Sequence, residues 1–251
     1  MTQDLAQLVQ SAIAMRRLQL NTLVFQRLQG VVRYGPLAGM KLIEASSWGN
    51  DKAAKLLGFY EHELMAAMLP AFGPGKVFVD IGAADGFYAV GALHVKLAHR
   101  TIAFELTEAG RAVIADTAAS LGVQDRIEIH GACTEGSLAQ ALQGLDRQHL
   151  VLLCDVEGAE FEIFSDSVLA LLAGAHVFIE IHDQSPEGPA AYAALKARAA
   201  RWFRLEEISK AGRNPYHYRE LQDLDDTDHW LVCSEGRAPD QRWLALRPIH
   251  G

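Results

Sequence analysis

The run Asp155-Val-Glu-Gly-Ala-Glu160 places three carboxylates at the end of an apolar stretch, Leu150–Cys154. Like charges held this close disfavour one another's ionisation, so a chain rarely gathers them only for packing. They suit a cation, a metal ion or a substrate hydroxyl. A second apolar run, His176-Val-Phe-Ile-Glu-Ile-His-Asp183, ends in more chemistry-bearing side chains. Along an extended strand Glu180 and His182 point to the same side. An imidazole at a strand end titrates near neutral pH and is suited to take a proton as a general base. Asp155, Glu157 and Glu180 are alternative bases, or oxygen ligands for a hard cation such as Mg2+. A histidine that only hydrogen-bonds a neighbouring acid is the plain structural alternative.

A second group reads as a binding turn. Val77-Phe-Val-Asp-Ile-Gly-Ala-Ala-Asp-Gly-Phe-Tyr88 runs from an apolar strand through glycines into a helix. Asp80 and Gly82 fall at the carboxyl end of that strand, where open α/β sheets bind ligands. Gly82 and Gly86 allow a tight turn and close backbone approach to a ligand. A dinucleotide loop wants three glycines, G-x-G-x-x-G. Counted from Gly82, its second and third positions are Ala84 and Phe87, which argues against a pyrophosphate cradle. Glu105 follows Asp80 by 25 residues and ends the next strand. There its carboxylate can accept hydrogen bonds from both hydroxyls of a ribose, and its loss should barely touch folding. Gly131-Ala132-Cys133 ends a third strand with small side chains that leave room for a flat ring.

The elements that must position these residues alternate strand and helix, the mark of a parallel sheet. Strands are expected at Val77–Ile81, Thr101–Glu105, Ile127–Gly131, Leu150–Asp155 and His176–His182, with two more near Phe203–Ile208 and His229–Ser234. Helices are expected over Tyr88–Leu97, Glu108–Leu121 and Ser137–Gln143, and from Pro189 to about Trp202. Upstream, Leu5, Leu8, Ala12, Met15, Thr22 and Phe25 recur at helical steps from about Asp4 to Leu28. That helix packs on its own domain or on a second subunit. Met40–Ile43 reads as a short strand and Asp51–Leu69 as one helix. Gly212–Asp228 reads as a long loop of the kind that often carries function.

Composition narrows the class. The chain has 251 residues, half of them hydrophobic, and a net charge of −8. Its length suits one α/β domain with an appended segment. The acidic balance disfavours a nucleic-acid backbone as partner. Cys133, Cys154 and Cys233 lack metal or redox spacing, as expected in a reducing cytoplasm. The first residues lack the pattern of a signal peptide, and no apolar run is long enough to span a membrane.

Taken together, the motifs resemble the FkbM-like family of class I S-adenosylmethionine-dependent methyltransferases. The likeness rests on Val79–Tyr88, Ala103-Phe-Glu105, Asp155–Glu160 and Ile179-Glu-Ile-His182, and spans roughly Val77–Asp183. It implies an α/β fold: a Rossmann-like seven-stranded methyltransferase sheet, order 3-2-1-4-5-7-6 with the seventh strand antiparallel. An N-terminal helical extension, residues 1–70, precedes the catalytic domain, residues 71–251. The resemblance further implies that Asp80, Gly82 and Ala83 cradle the methionine end of the cofactor, that Asp85, Gly86 and Tyr88 shape the loop over it, and that Glu105 holds the ribose. Ala132 and Cys133 would flank the adenine, and Asp155 would lie near the methyl group. The catalytic candidates are His182, Asp155 and Glu157, and the metal candidates are Asp155, Glu157 and Glu180. The implied reaction is O-methylation of a hydroxyl on a sugar, polyketide or similar small molecule. Partners are then a small-molecule or glycan acceptor, with no nucleic acid and no membrane, and a second copy through the N-terminal helix. Two departures stand out: Ala83-Ala84 replaces a more usual Ala-Asn, and the tail from Gly212 is not a family feature, so the acceptor does not transfer. The alternatives are an NAD(P)-dependent Rossmann oxidoreductase and a non-catalytic S-adenosylmethionine-binding protein.

Overall fold

The computed structural model describes residues 2–43, 51–236 and 241–249. The chain forms two compact units, Met1–His62 with Ala211–Ala238, and Glu63–Lys210 with Pro239–Gly251. The sequence reading drew one boundary after residue 70; as folded, the division follows His62, and residues 211–238 join the N-terminal stretch.

The larger unit holds a seven-stranded sheet in the order β3-β2-β1-β4-β5-β7-β6. Its strands are β1 (Val77–Ile81), β2 (Arg100–Phe104), β3 (Ile127–His130), β4 (Leu150–Cys154), β5 (His176–Ile181), β6 (Phe203–Ser209) and β7 (Arg242–Pro248). The first five pair in parallel, and β7 runs antiparallel to both β5 and β6. This is the strand order, with its antiparallel seventh strand, that the resemblance implies. Every residue of β1 and of β4 is buried, as central parallel strands covered on both faces must be. Helices α1 (Thr2–Leu28), α2 (Lys52–Leu56), α3 (His62–Met68), α4 (Phe87–His94), α5 (Glu108–Ser120), α6 (Glu135–Ala141), α7 (Glu160–Ile163), α8 (Asp166–Leu171), α9 (Gly188–Ala199) and α10 (Asp226–Cys233) complete the chain. Among the described residues no helix is long and apolar enough to cross a membrane.

Several expected elements differ. The seventh strand is Arg242–Pro248, and the expected strand at His229–Ser234 lies mostly within α10. Asp225 caps that helix by accepting from Asp228 N, and acids in the first turn favour it further. Four consecutive residues of β7, Trp243 to Leu246, are wholly buried. The single helix expected over Asp51–Leu69 is broken at Gly58, whose φ is +72°. A Cβ there would lie 2.0 Å from the Tyr34 carbonyl oxygen, so close chain crossing decides the break. The strand expected at Met40–Ile43 reduces to an isolated bridge between Val31 and Lys41. The loop expected at Gly212–Asp228 contains two 3-10 turns, Pro215–His217 and Arg219–Leu221, before α10 begins.

Candidate active site

β1 has β2 on one side and β4 on the other, so the order of the parallel strands reverses there. Open α/β sheets bind ligands in the crevice beyond the strand ends at such a point. A cleft of about 470 Å3 opens at this position, within the roughly 300–1,000 Å3 of small-molecule sites. Gly82, Glu105, Ala132, Cys133, Asp155 and Glu157 all line it. Burial pushes the Cys133 thiol up to about 12, so it stays protonated and serves as wall rather than nucleophile.

Asp80, Ala83, Asp85, Gly86 and Tyr88 are not among the residues lining this cleft. Ala83 and Asp80 are buried. Asp85 Oδ1 accepts from Phe87 N at 3.2 Å at the start of α4. Gly86, with φ +79°, faces Val90 and Ile114, and Tyr88 is half-buried with its ring against Phe87. Asp80 belongs to β1, Ala83, Asp85 and Gly86 to the turn after it, and Tyr88 to the first turn of α4. Gly82 has φ +85°, and a Cβ on it would lie 1.7 Å from the Asp155 carbonyl oxygen. Its lack of a side chain therefore admits the backbone of the acidic turn, beside the cleft that Gly82 also lines. The Asp155 amide donates to the Ile81 carbonyl at 2.8 Å, which ties the two turns together.

Glu105 stands at the end of β2, 8% exposed. Its Oε2 accepts from Ala84 N at 3.1 Å, and its Oε1 accepts from Thr107 N at 2.8 Å and from Thr107 Oγ1 at 2.7 Å. Ala84 takes φ +50° in this turn. Gly110 leaves room for the carboxylate, because a Cβ there would meet Glu105 Cγ at 2.6 Å. Thr107 and Gly110 escaped the sequence reading, which noted Ala84 only as a departure from the dinucleotide and family loops. The Thr107 N-cap of α5 was the available signal, as a Thr just before a helix. Glu105 thus holds the binding turn as well as facing the cleft. If Glu105 holds a ribose as the resemblance implies, Glu105→Ala is expected to weaken S-adenosylhomocysteine by roughly 1.5–3 kcal/mol, the range for hydrogen bonds to a charged group. It is also expected to cost about 1–3 kcal/mol of stability through the donors left behind, contrary to the reading of a strand-end acid indifferent to folding. Calorimetric titration and thermal melts of the variant check both; an unchanged dissociation constant would remove Glu105 from the binding set.

Beyond β5, His182 is ringed by carboxylates. Its Nε2 lies 3.4 Å from Glu157 Oε2, 3.6 Å from Glu180 Oε1 and 3.7 Å from Asp155 Oδ1. On the other side Nδ1 lies 3.5 Å from Glu160 Oε1. Glu160 is fully buried. Its Oε1 also accepts from the His182 amide at 2.7 Å, and its Oε2 from Gly158 N at 2.9 Å. The acidic turn and the end of β5 are thereby joined through one carboxylate, a role that spacing alone did not reveal. Burial by itself lowers the His182 pKa, but the adjacent Glu160 carboxylate and the charges of Asp155 and Glu157 outweigh it, and the net shift is upward. Burial by itself raises Glu160, while the hydrogen bond from the His182 amide and the adjacent imidazole prevail and hold it below the ordinary carboxylate range. Asp155, Glu157 and His182 offer ligand atoms all within 4.8 Å of one another. A metal-binding set here would therefore include the imidazole beside the expected Asp155 and Glu157.

No family model matches the chain, and no curated relative does. Solved structures similar to it include the C-terminal domain of precorrin-6Y C5,15-methyltransferase from Rhodobacter capsulatus, at 19% identity and a TM-score of 0.47, covering 74% of this chain and 88% of that one. An O-methyltransferase from Bacillus cereus in complex with SAH has 12% identity and a TM-score of 0.48, with 74% and 79% covered. The ribosomal protein L11 methylase from Lactobacillus delbrueckii subsp. bulgaricus has 15% identity and a TM-score of 0.48, with 84% and 86% covered. All three share under 20% identity with this chain.

Proposed function

We propose that this chain is an S-adenosylmethionine-dependent methyltransferase of the FkbM-like type that methylates a hydroxyl on a sugar, polyketide or similar small molecule. The observation that carries the reading is the cleft at the switch point of the sheet. It brings the Glu105 carboxylate and the small side chains Ala132 and Cys133 together with Asp155, which borders the His182 cluster.

The residues present fit the cofactor. Glu105 accepts one hydrogen bond on Oε2 and two on Oε1. A carboxylate has about four acceptor sites, so it retains capacity for a ribose hydroxyl. Ala132 and Cys133 offer a shallow apolar wall for an adenine ring. Asp155 and Glu157 supply negative charge that favours a cationic sulfonium. When bound, S-adenosylmethionine supplies an electrophilic methyl group and leaves as a neutral thioether.

The chain's own tasks are then to orient the acceptor oxygen and to remove its proton. Orientation is worth most in such a displacement. His182 takes the proton at Nε2, the nitrogen that faces Asp155 and Glu157, and the resulting imidazolium is stabilised by the surrounding carboxylates. A nicotinamide oxidoreductase would use the same sheet. Phe87, buried as the first residue of α4, occupies the position where its loop needs a third glycine.

Titration calorimetry is expected to show S-adenosylhomocysteine binding in the micromolar range, on the order of −7 to −8 kcal/mol, and no heat with NAD or NADP. Binding of a nicotinamide cofactor alone would sink the proposal. Binding of S-adenosylhomocysteine without turnover across a broad screen of hydroxylated sugars and polyketides would favour a non-catalytic binding protein.

A further inference from the structure

Residues 5–16 of α1 are exposed on every side, and the helix becomes buried only at Leu20, Asn21 and Val24. Leu5, Leu8 and Met15 are 63%, 68% and 66% exposed, with Val9 and Ile13 also largely open. A helix of this length without packing is marginal in water, because most helical stability comes from a covered apolar face. Leu5, Leu8, Ala12 and Met15 follow the alternating three- and four-residue steps of a coiled-coil seam. We propose that this segment of α1 pairs antiparallel with the same segment of a second copy of the chain.

Charge selects the occupant and its direction. From Thr2 to Met15 the only charged residue is Asp4, followed by Arg16 and Arg17. A helix lying on a membrane surface carries Lys and Arg on its polar face; here that face carries Gln7, Gln10 and Ser11. An antiparallel pair sets Leu5 opposite Met15 and the large Leu8 opposite the small Ala12. The same register brings Asp4 of one copy to the level of Arg16 of the other. A parallel pair would stack Arg16 on Arg16. Arg16 is bonded to Asp228 within its own unit through Nε at 2.8 Å, yet its side chain stays 46% exposed. The seam of Leu5, Leu8, Ala12 and Met15 is short beside the roughly 20–30 residues a side of a standard interface. The dimer is therefore expected to be weak and reversible.

Sedimentation velocity over roughly 1–500 μM is expected to show a reversible monomer–dimer equilibrium that Leu8→Glu and Leu5→Glu each abolish. Both side chains are exposed, so the thermal melts of these variants should match the parent. On a Cys133→Ser background, a mixture of Leu8→Cys and Ala12→Cys chains is expected to form a disulfide-linked dimer on oxidation, while either chain alone does so far less. A parent chain that stays monomeric throughout the range overturns the proposal. So does a dimer untouched by both Glu substitutions, cross-linking of the Leu8→Cys chain with itself, or a monomer that instead cosediments with anionic phosphatidylserine vesicles.

Discussion

His182→Ala is expected to lower kcat by roughly 10²–10⁴-fold, the usual worth of a positioned general base, while S-adenosylmethionine affinity stays within about threefold. The expectation follows from the ring's place beside Asp155, with Nε2 turned towards the carboxylates of Asp155, Glu157 and Glu180 and Nδ1 towards Glu160. Burial alone would lower the ring's pKa, yet the adjacent Glu160 carboxylate and the other neighbouring charges raise it above its ordinary 6.5. A base must be neutral to accept a proton, so kcat should climb with pH through a midpoint above 6.5, and this limb should vanish in the variant. The same upward shift means that the charged ring stabilises the fold fully below pH 6.5, and that this contribution fades as pH rises through the higher folded value. The loss in kcat should be equal with and without EDTA if the ring carries the proton itself. Activity that disappears in EDTA and returns with Mn2+ or Mg2+ would instead make His182 part of a ligand set with Asp155 and Glu157. A variant with parental kcat, or one that unfolds, would assign His182 to structure and pass the base role to Asp155 or Glu157. The measurement begins with a screen of hydroxylated sugars and polyketides for an acceptor.

The second large effect is expected at Gly82. Gly82→Ala should destabilise the protein by about 3 kcal/mol or more and weaken S-adenosylhomocysteine at least tenfold, combining overpacking with a left-handed backbone. The Cβ would sit 1.7 Å from the backbone oxygen of Asp155 at a φ of +85°, and a backbone atom in a paired strand-end turn has little room to yield. The displaced residue is the one that joins the cleft to the His182 cluster. Gly131→Ala is the control, since its Cβ would meet nothing within 4 Å; its stability should stay within about 0.5 kcal/mol of the parent. Chemical denaturation of both variants, followed by calorimetry, reads the two effects. A Gly82→Ala protein as stable as the parent would mean that the two turns are not held against each other as described.

Much of this site was legible before any coordinates. The apolar runs at Val77–Ile81 and Leu150–Cys154 became β1 and β4, because central parallel strands have no solvent face and so read as unbroken hydrophobic stretches. The alternation that set Glu180 and His182 on one side survives as a 3.6 Å contact. The reading failed where short apolar segments carry either period. The stretch His229–Ser234 has a strand-like Trp-Leu-Val core, but the cap at Asp225 and the acids after it made it part of a helix. The true seventh strand was passed over even though its Trp243 to Leu246 run ends wholly buried.

The amino-acid sequence by itself determined the first six strands, the strand-end acids Glu105 and Asp155, and the glycines that open the turn. These follow from side-chain periodicity, burial and backbone freedom, which are local properties. Only the tertiary structure decided what those residues face. The parallel register that aligns Ile81 with Cys154 stacks the two following turns, so that Gly82 accommodates the Asp155 backbone at the edge of the cleft it lines. Packing also drew Glu160 entirely out of solvent and onto His182, turning one of three neighbouring acids into the link between the acidic turn and β5. Such pairings join residues far apart in the chain, and their energy depends on distances that spacing along the sequence does not encode.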